Sequence, residues 1–333
     1  VQDKDDKAFR SVVALRVGEK APYELCSGTV IGRRLVLTAR HCVSQTLADA
    51  IDCNEAGESL NGAHAGADIS PRLIHVLTGQ SPNFSRGTVA QGEAVFRPEG
   101  SALCNLDVAI VLLDRPLEDV EPVPLRLRTG VDTTERISTV GYGENDQGLP
   151  IGRRFRKTSV SILDVGPRPK ERGTGRPALA DREFEVGNSI CQGDSGGPAF
   201  SERTGAVVGV ISRGVGCTLD YGHIFTTTAG FGRLFRAAFA AAGEQPVLEV
   251  ASQESGDTVA ATAPSSAADD TGDVSTLSKQ GVDTPPASAH GGCHSAPGDA
   301  ASALDGLAAA AALSVSAWRV RRRRRPVTKA SEG

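Results

Sequence analysis

What most restricts the fold of this chain is how its apolar residues are parcelled. Ser11–Val17, Leu35–Thr38, Val108–Leu113 and Ala206–Ile211 are short runs rich in Val, Ile and Leu, and Gly, Pro and Asp separate them. Runs of that length between turn-forming residues specify many short strands, as in a sandwich or barrel. One helix closes the body. Phe231, Leu234, Phe235, Ala238 and Phe239 fall at i, i+3, i+4, i+7 and i+8, an apolar stripe of 3.6-residue period. Gly243 stands where a C-terminal cap belongs.

Composition divides the chain into three. Hydrophobic residues make up 39%, below the usual ~45–50% of a globular chain, and the deficit is local. Every Phe and Tyr lies at or before Phe239, and only Trp318 is aromatic beyond it. Residues 1–243 therefore read as the folded body. Residues 244–290 are rich in Ala, Ser, Thr, Asp, Gly and Pro and hold no aromatic; they bury too little apolar surface to offset ordering entropy and are expected to be a disordered linker. Residues 291–333 form a tail: Gly291-Gly292-Cys293, an apolar run, then Arg321 to Arg325. From Leu307 to Trp318 the run would be about 18 Å long as a helix, short of a ~30 Å hydrocarbon core. Extended back to Ala300 it reaches roughly 28 Å but takes in Asp305. The Arg cluster would stay on the cytoplasmic side and leave everything before it outside; the alternative is a solvated basic tail.

Three composition features bear on function. Lys plus Arg total 36 and Asp plus Glu 40, a net charge of -4, which argues against a nucleic-acid binder. The chain has no Met and is read as a processed product from which any signal peptide has gone. Seven Cys, at 26, 42, 53, 104, 191, 217 and 293, include no C-x-x-C pair. Six lie in the body, which suits three disulfides and an oxidising compartment, with Cys293 left over. No cofactor or metal is expected, although scattered acids between Asp52 and Asp68 are compatible with a calcium loop.

The residues that carry chemistry begin with Gly193-Asp194-Ser195-Gly196-Gly197-Pro198. A Ser among glycines can bring its hydroxyl to a crowded electrophile while neighbouring N–H groups converge on one point, as an oxyanion requires. Serine is a weak nucleophile, so a base must stand beside it. Of six His, His41 in Thr38-Ala39-Arg40-His41-Cys42 has the apt setting, at a strand end and next to a Cys. His64, His290 and His294 sit in Gly/Ala/Ser-rich loops, and His75 in an apolar stretch. Asp107 is a lone carboxylate leading into an apolar strand, suited to orient the imidazole.

These segments, in the chain order His, Asp, Ser, resemble the trypsin/chymotrypsin-like serine proteases over about 230 residues. Cys26-Ser27-Gly28, Gly141-Tyr142-Gly143 and Ser212-Arg213-Gly214 add to the match, the last resembling the family's substrate-backbone strand. The resemblance implies an all-β protein of two antiparallel Greek-key β-barrels with the site in the cleft between them and a C-terminal helix. It implies His41, Asp107 and Ser195 as the catalytic residues and the N–H groups of Gly193 and Ser195 as the oxyanion hole. Cys26 would pair with Cys42 and Cys191 with Cys217, leaving Cys53 and Cys104 to each other. The substrates would be proteins or peptides and the enzyme a monomer. The tail is similar to the bacterial sorting tails called MYXO-CTERM, which implies membrane contact before processing, cleavage near Cys293 and display at the cell surface.

The chain departs from the family in three respects. Active members begin with an Ile-Val-Gly-Gly-like sequence whose freed amine pairs with the Asp before the nucleophile, here Asp194; Val1-Gln2-Asp3 is a poor substitute. Trimming, a different activation route and an inactive zymogen all stay open. Lys4-Asp5-Asp6-Lys7 is read as a solvated charge run. The base of the primary pocket would be Ser189, with no carboxylate to compensate a buried Arg or Lys. His223 would stand at the pocket wall, so the pocket either narrows for small apolar side chains or attracts an acidic one. Arg213 and Arg40 replace an aromatic and a small residue. The expectation is a secreted or surface-anchored serine endopeptidase that is not Arg/Lys-specific, the alternative being an inactive zymogen or a protease-like binding protein on the cell surface.

Overall fold

The computed structural model describes residues 9–19, 23–48, 50–144 and 151–250. The first barrel is built from β1 (Val12–Val17), β2 (Glu24–Gly32), β3 (Leu35–Thr38), β6 (Ile74–Leu77), β7 (Thr88–Phe96) and β8 (Ala109–Leu113); a hairpin of β4 (Ser44–Thr46) and β5 (Ala65–Asp68) stands apart from it. The second comprises β9 (Arg136–Gly141), β10 (Phe155–Val165), β11 (Glu183–Val186), β12 (Pro198–Ser201), β13 (Val207–Gly214) and β14 (His223–Thr227). The barrels share one topology. The first closes in the order β1-β2-β3-β8-β7-β6 and the second as β9-β10-β11-β14-β13-β12, all pairs antiparallel. In each, the fourth strand returns beside the first, the signature of a Greek key. The expected fold class is thus the one observed.

The continuous apolar runs have a packing reason. Every residue of β3 and β8 is buried, because the barrel interior takes one face and α1 (Gly232–Ala242) covers the other. Phe231, Phe235, Ala238 and Phe239 of the predicted stripe join the first barrel's core, and burying Phe235 and Phe239 contributes about 2 kcal/mol each. Gly243, at φ +69°, caps the helix in the left-handed region.

The folded body does not end at Gly243. The Glu244 carboxylate accepts the N–H groups of Arg33 and Arg34, and Leu125 exchanges backbone bonds with Val247 and Glu249. Arg126, buried, pairs with both Glu135 and Glu249 at 2.7 Å. Those bonds offset the ordering entropy that composition alone leaves uncompensated, so the boundary moves from 243 to at least 250. The rest of the linker, the tail and Cys293 lie outside the described residues. No helix among the described residues is long and apolar enough to cross a membrane.

Candidate active site

Strand register brings the first two residues together. Thr38 of β3 pairs with Ala109 of β8, so His41, three residues beyond Thr38, meets Asp107, two residues ahead of Ala109. His41 sits on a short 3₁₀ turn, Arg40–Cys42. Its Nδ1–H donates to Asp107 Oδ2 at 2.8 Å and its backbone N–H to Oδ1 at 2.9 Å. The Ser212 hydroxyl, from β13, donates to the same Oδ2 at 2.7 Å. Asp107 is wholly buried and the His41 side chain 13% exposed.

Burial opposes ionisation of both groups, and their mutual attraction overcomes it. His41 is held above its ordinary 6.5: burial works against the imidazolium, but the charge and hydrogen bond of Asp107 win, with Glu24 adding to them. Asp107 is held below the usual carboxylate range; burial works the other way, and the His41 charge with hydrogen bonds from His41 and Ser212 prevails.

Ser195 reaches the same place from the second barrel. His41, Ser195, Gly193 and the Ser212–Gly214 strand line one cleft of about 890 Å³. Cys42 Sγ lies 3.8 Å from His41 Nε2 and 3.6 Å from the Ser195 carbonyl oxygen, so one sulfur touches both segments. Ser195 Oγ has no hydrogen-bond partner among the described residues, His41 Nε2 included; catalytic bonds in unliganded sites are often long and tighten when substrate binds.

The loop that carries Ser195 is fixed by bonds across the barrels. The Ser27 N–H donates to the Ser195 carbonyl at 2.7 Å and the Ser27 hydroxyl to the Gly193 carbonyl at 3.1 Å. In turn, Thr38 Oγ1 donates to the Ser27 carbonyl at 2.9 Å, and the Tyr142 N–H to Ser27 Oγ at 3.0 Å. From 193 to 197, the N–H groups of Asp194, Gly196 and Gly197 are committed to the carbonyls of Cys191, Ile211 and Asp194. Those of Gly193 and Ser195 have no protein acceptor among the described residues. The Asp194 carboxylate accepts the N–H groups of Gly143 and Cys191, both at 2.8 Å. A Cβ at Gly141 would overlap that carboxylate, which explains the glycine at that end of the Gly141-Tyr142-Gly143 motif.

Ser189 and His223 are not part of the cleft lining. His223 is fully buried, and its Nδ1 accepts the N–H groups of Ser189 at 3.3 Å and Ile190 at 3.1 Å. Burial holds it below the ordinary histidine range. Arg213 lines the cleft, but its guanidinium is bound in two-pronged fashion by Glu183. Arg40 is only 1% exposed, does not line the cleft, and its Nε and Nη1 have no partner among the described residues. Sequence reading assigned no role to Ser27 or Glu183; Ser27 stood within a quoted motif, whereas nothing local marks Glu183.

Disulfides join Cys26 to Cys42, Cys53 to Cys104 and Cys191 to Cys217. The two described groupings of potential metal ligands, Cys26-His41-Cys42 and Glu144-Cys191-Cys217, are built on these oxidised sulfurs, which do not supply thiolates.

The chain is similar in sequence and fold to known proteins. The family model described as Trypsin matches residues 1–232. The chain is similar to a cercarial protease of Schistosoma mansoni, 26% identical over 199 residues (57% of this chain and 71% of the relative). It is also similar to trypsin alpha-4 of Lucilia cuprina, 27% identical over 214 residues (61% and 73%). Among solved structures, the scabies mite inactivated protease paralogue S-D1 superposes with a TM-score of 0.53 at 17% identity, covering 74% of this chain and 98% of that one. That likeness speaks to the fold alone. With the family model spanning both barrels up to the start of the helix, the chain belongs to the trypsin family of serine proteases.

Proposed function

We propose that the protein is a serine endopeptidase acting outside the cell, which hydrolyses peptide bonds through an acyl-enzyme on Ser195. The observation that carries this reading is the buried Asp107–His41 pair opening on the cleft that Ser195 lines. His41 takes the Ser195 proton as Oγ attacks the scissile carbonyl, then gives it to the leaving amine as the C–N bond breaks. Water repeats the sequence to free the acid and regenerate Ser195. Asp107 holds the His41 tautomer and stabilises the imidazolium. The uncommitted N–H groups of Gly193 and Ser195 receive the oxyanion, and loss of one such donor raises the barrier by about 3 kcal/mol.

Specificity is for small apolar side chains before the scissile bond, and not for Arg or Lys. Ser189, uncharged, lies outside the cleft lining, and Glu183 neutralises Arg213, which does line it. His223, buried and held below the ordinary histidine range, is neutral at pH 7 and supplies no attraction for an acidic side chain. Ile224 and Val215 give the cleft an apolar wall. Three disulfides in the folded body call for an oxidising compartment. Display at the surface through Cys293 rests on the tail motif alone.

A peptide library tests this directly. Cleavage is expected after Ala- or Val-sized residues rather than Lys or Arg, and is absent in Ser195→Ala. The acid limb of kcat/KM has its midpoint above pH 6.5, because the base must be neutral and its pKa is raised. Cleavage after Lys or Arg contradicts the specificity, and hydrolysis that survives Ser195→Ala contradicts the mechanism.

A further inference from the structure

Glu183, in β11, is fully buried and lies outside the cleft lining. Its Oε1 accepts the Asn105 N–H at 3.0 Å and Arg213 Nη1 at 2.7 Å. Its Oε2 accepts the Ala180 N–H at 2.9 Å and Arg213 Nη2 at 2.9 Å. Two of these partners lead to Asp107 by short covalent paths. Asn105 is two residues ahead of Asp107, at φ +67°, and its Oδ1 accepts the Arg182 N–H at 2.6 Å. Arg213 follows Ser212, whose hydroxyl donates to Asp107 at 2.7 Å. Asn105 and Asp107 belong to the first barrel, whereas Glu183, Ser212 and Arg213 belong to the second.

One buried carboxylate therefore holds both the segment that carries Asp107 and the strand that carries its hydroxyl donor. A buried ion pair is weak evidence for a stability role, since desolvation offsets much of the attraction and apolar residues often fill such a site as well. A two-pronged Arg–carboxylate contact does, however, fix direction as well as distance. Reaction rates respond steeply to placement, a 1 Å error costing about 100-fold.

We propose that Glu183 is a positioning residue for the reaction at Ser195: paired with Arg213, it sets the placement of the Asp107 carboxylate against His41. This rests on the peptidase reading, and its test includes a signal that needs no turnover. Glu183→Gln keeps the size and an oxygen acceptor but leaves the Arg213 charge unopposed. The expected result is a kcat lower by about 10- to 100-fold, a KM within about twofold, and loss or upfield shift of the low-field NMR proton shared by His41 Nδ1 and Asp107. Glu183→Leu with Arg213→Leu removes both charges together and is expected to show the same loss of kcat and of the proton signal.

Unchanged kcat and an unchanged low-field proton in either folded variant overturn the proposal. A lower melting temperature with both signals intact assigns the pair to stability alone and overturns it equally. If the wild-type protein shows the low-field proton but hydrolyses no peptide, the peptidase reading fails, and the proton signal in the variants still decides the placement of Asp107.

Discussion

Asp107→Asn is expected to lower kcat by about 10⁴-fold, the scale of a wrong-tautomer effect, with little change in KM. All three contacts of the Asp107 carboxylate need an acceptor: the His41 Nδ1–H at 2.8 Å, the His41 backbone N–H at 2.9 Å and the Ser212 hydroxyl at 2.7 Å. An amide offers one oxygen and one NH₂ group in their place. If the NH₂ faces Nδ1, the imidazole proton moves to Nε2, the nitrogen that has to accept the proton of Ser195. The imidazolium also loses its counter-charge while burial continues to oppose it, so the His41 pKa falls and the acid limb of kcat/KM shifts to lower pH. Steady-state kinetics across pH 5–9 check both effects. A variant with wild-type kcat would remove Asp107 from the mechanism.

Gly196→Ala is expected to cost about 3 kcal/mol of stability, read by urea unfolding. Gly196 lies at φ +81°, where a Cβ is strained. The added methyl would overlap Thr38 Oγ1 and the Ser27 carbonyl oxygen. Neither can easily retreat, because Thr38 Oγ1 donates to that carbonyl and the Ser27 N–H holds Ser195. The Ser195 loop must shift instead, so activity falls along with stability. Gly205→Ala is the control: its φ is +72°, but nothing stands within 4 Å of the new carbon, so only about 1 kcal/mol is lost. Equal losses at the two positions would show that the inter-barrel contact is immaterial.

Much of the fold was legible because its signals are local. Apolar runs between turn residues announced the strands, and the stripe from Phe231 to Phe239 announced the helix. The barrel topology came from the family resemblance, since short apolar runs do not say which strands pair. Gly193-Asp194-Ser195-Gly196-Gly197-Pro198 was legible because a nucleophile loop needs glycines at close approaches, and Gly196 meets such a requirement. Residues 244–250 were misread because composition registers lost apolar surface but not backbone bonds to Leu125, more than a hundred residues away in sequence. Arg213 was legible as part of a strand resembling the family's substrate-backbone strand, but its charge partner was not. Its neutralising partner lies 30 residues earlier, and an ion pair across a barrel leaves no periodic trace. Arg40, which replaces a small residue beside His41, is likewise turned inward by the fold, and nothing local in the sequence signals that burial.

The most direct test of the central claim is labelling of the folded protein with a fluorophosphonate, followed by intact mass and peptide mapping. Modification of Ser195 alone, abolished in Ser195→Ala, is the predicted result: it needs an activated hydroxyl, a working His41 and donors for the phosphonyl oxygen at once. A folded protein with all three disulfides formed that takes no label would contradict the account and leave either an inactive zymogen or a trypsin-family fold serving a purpose other than catalysis.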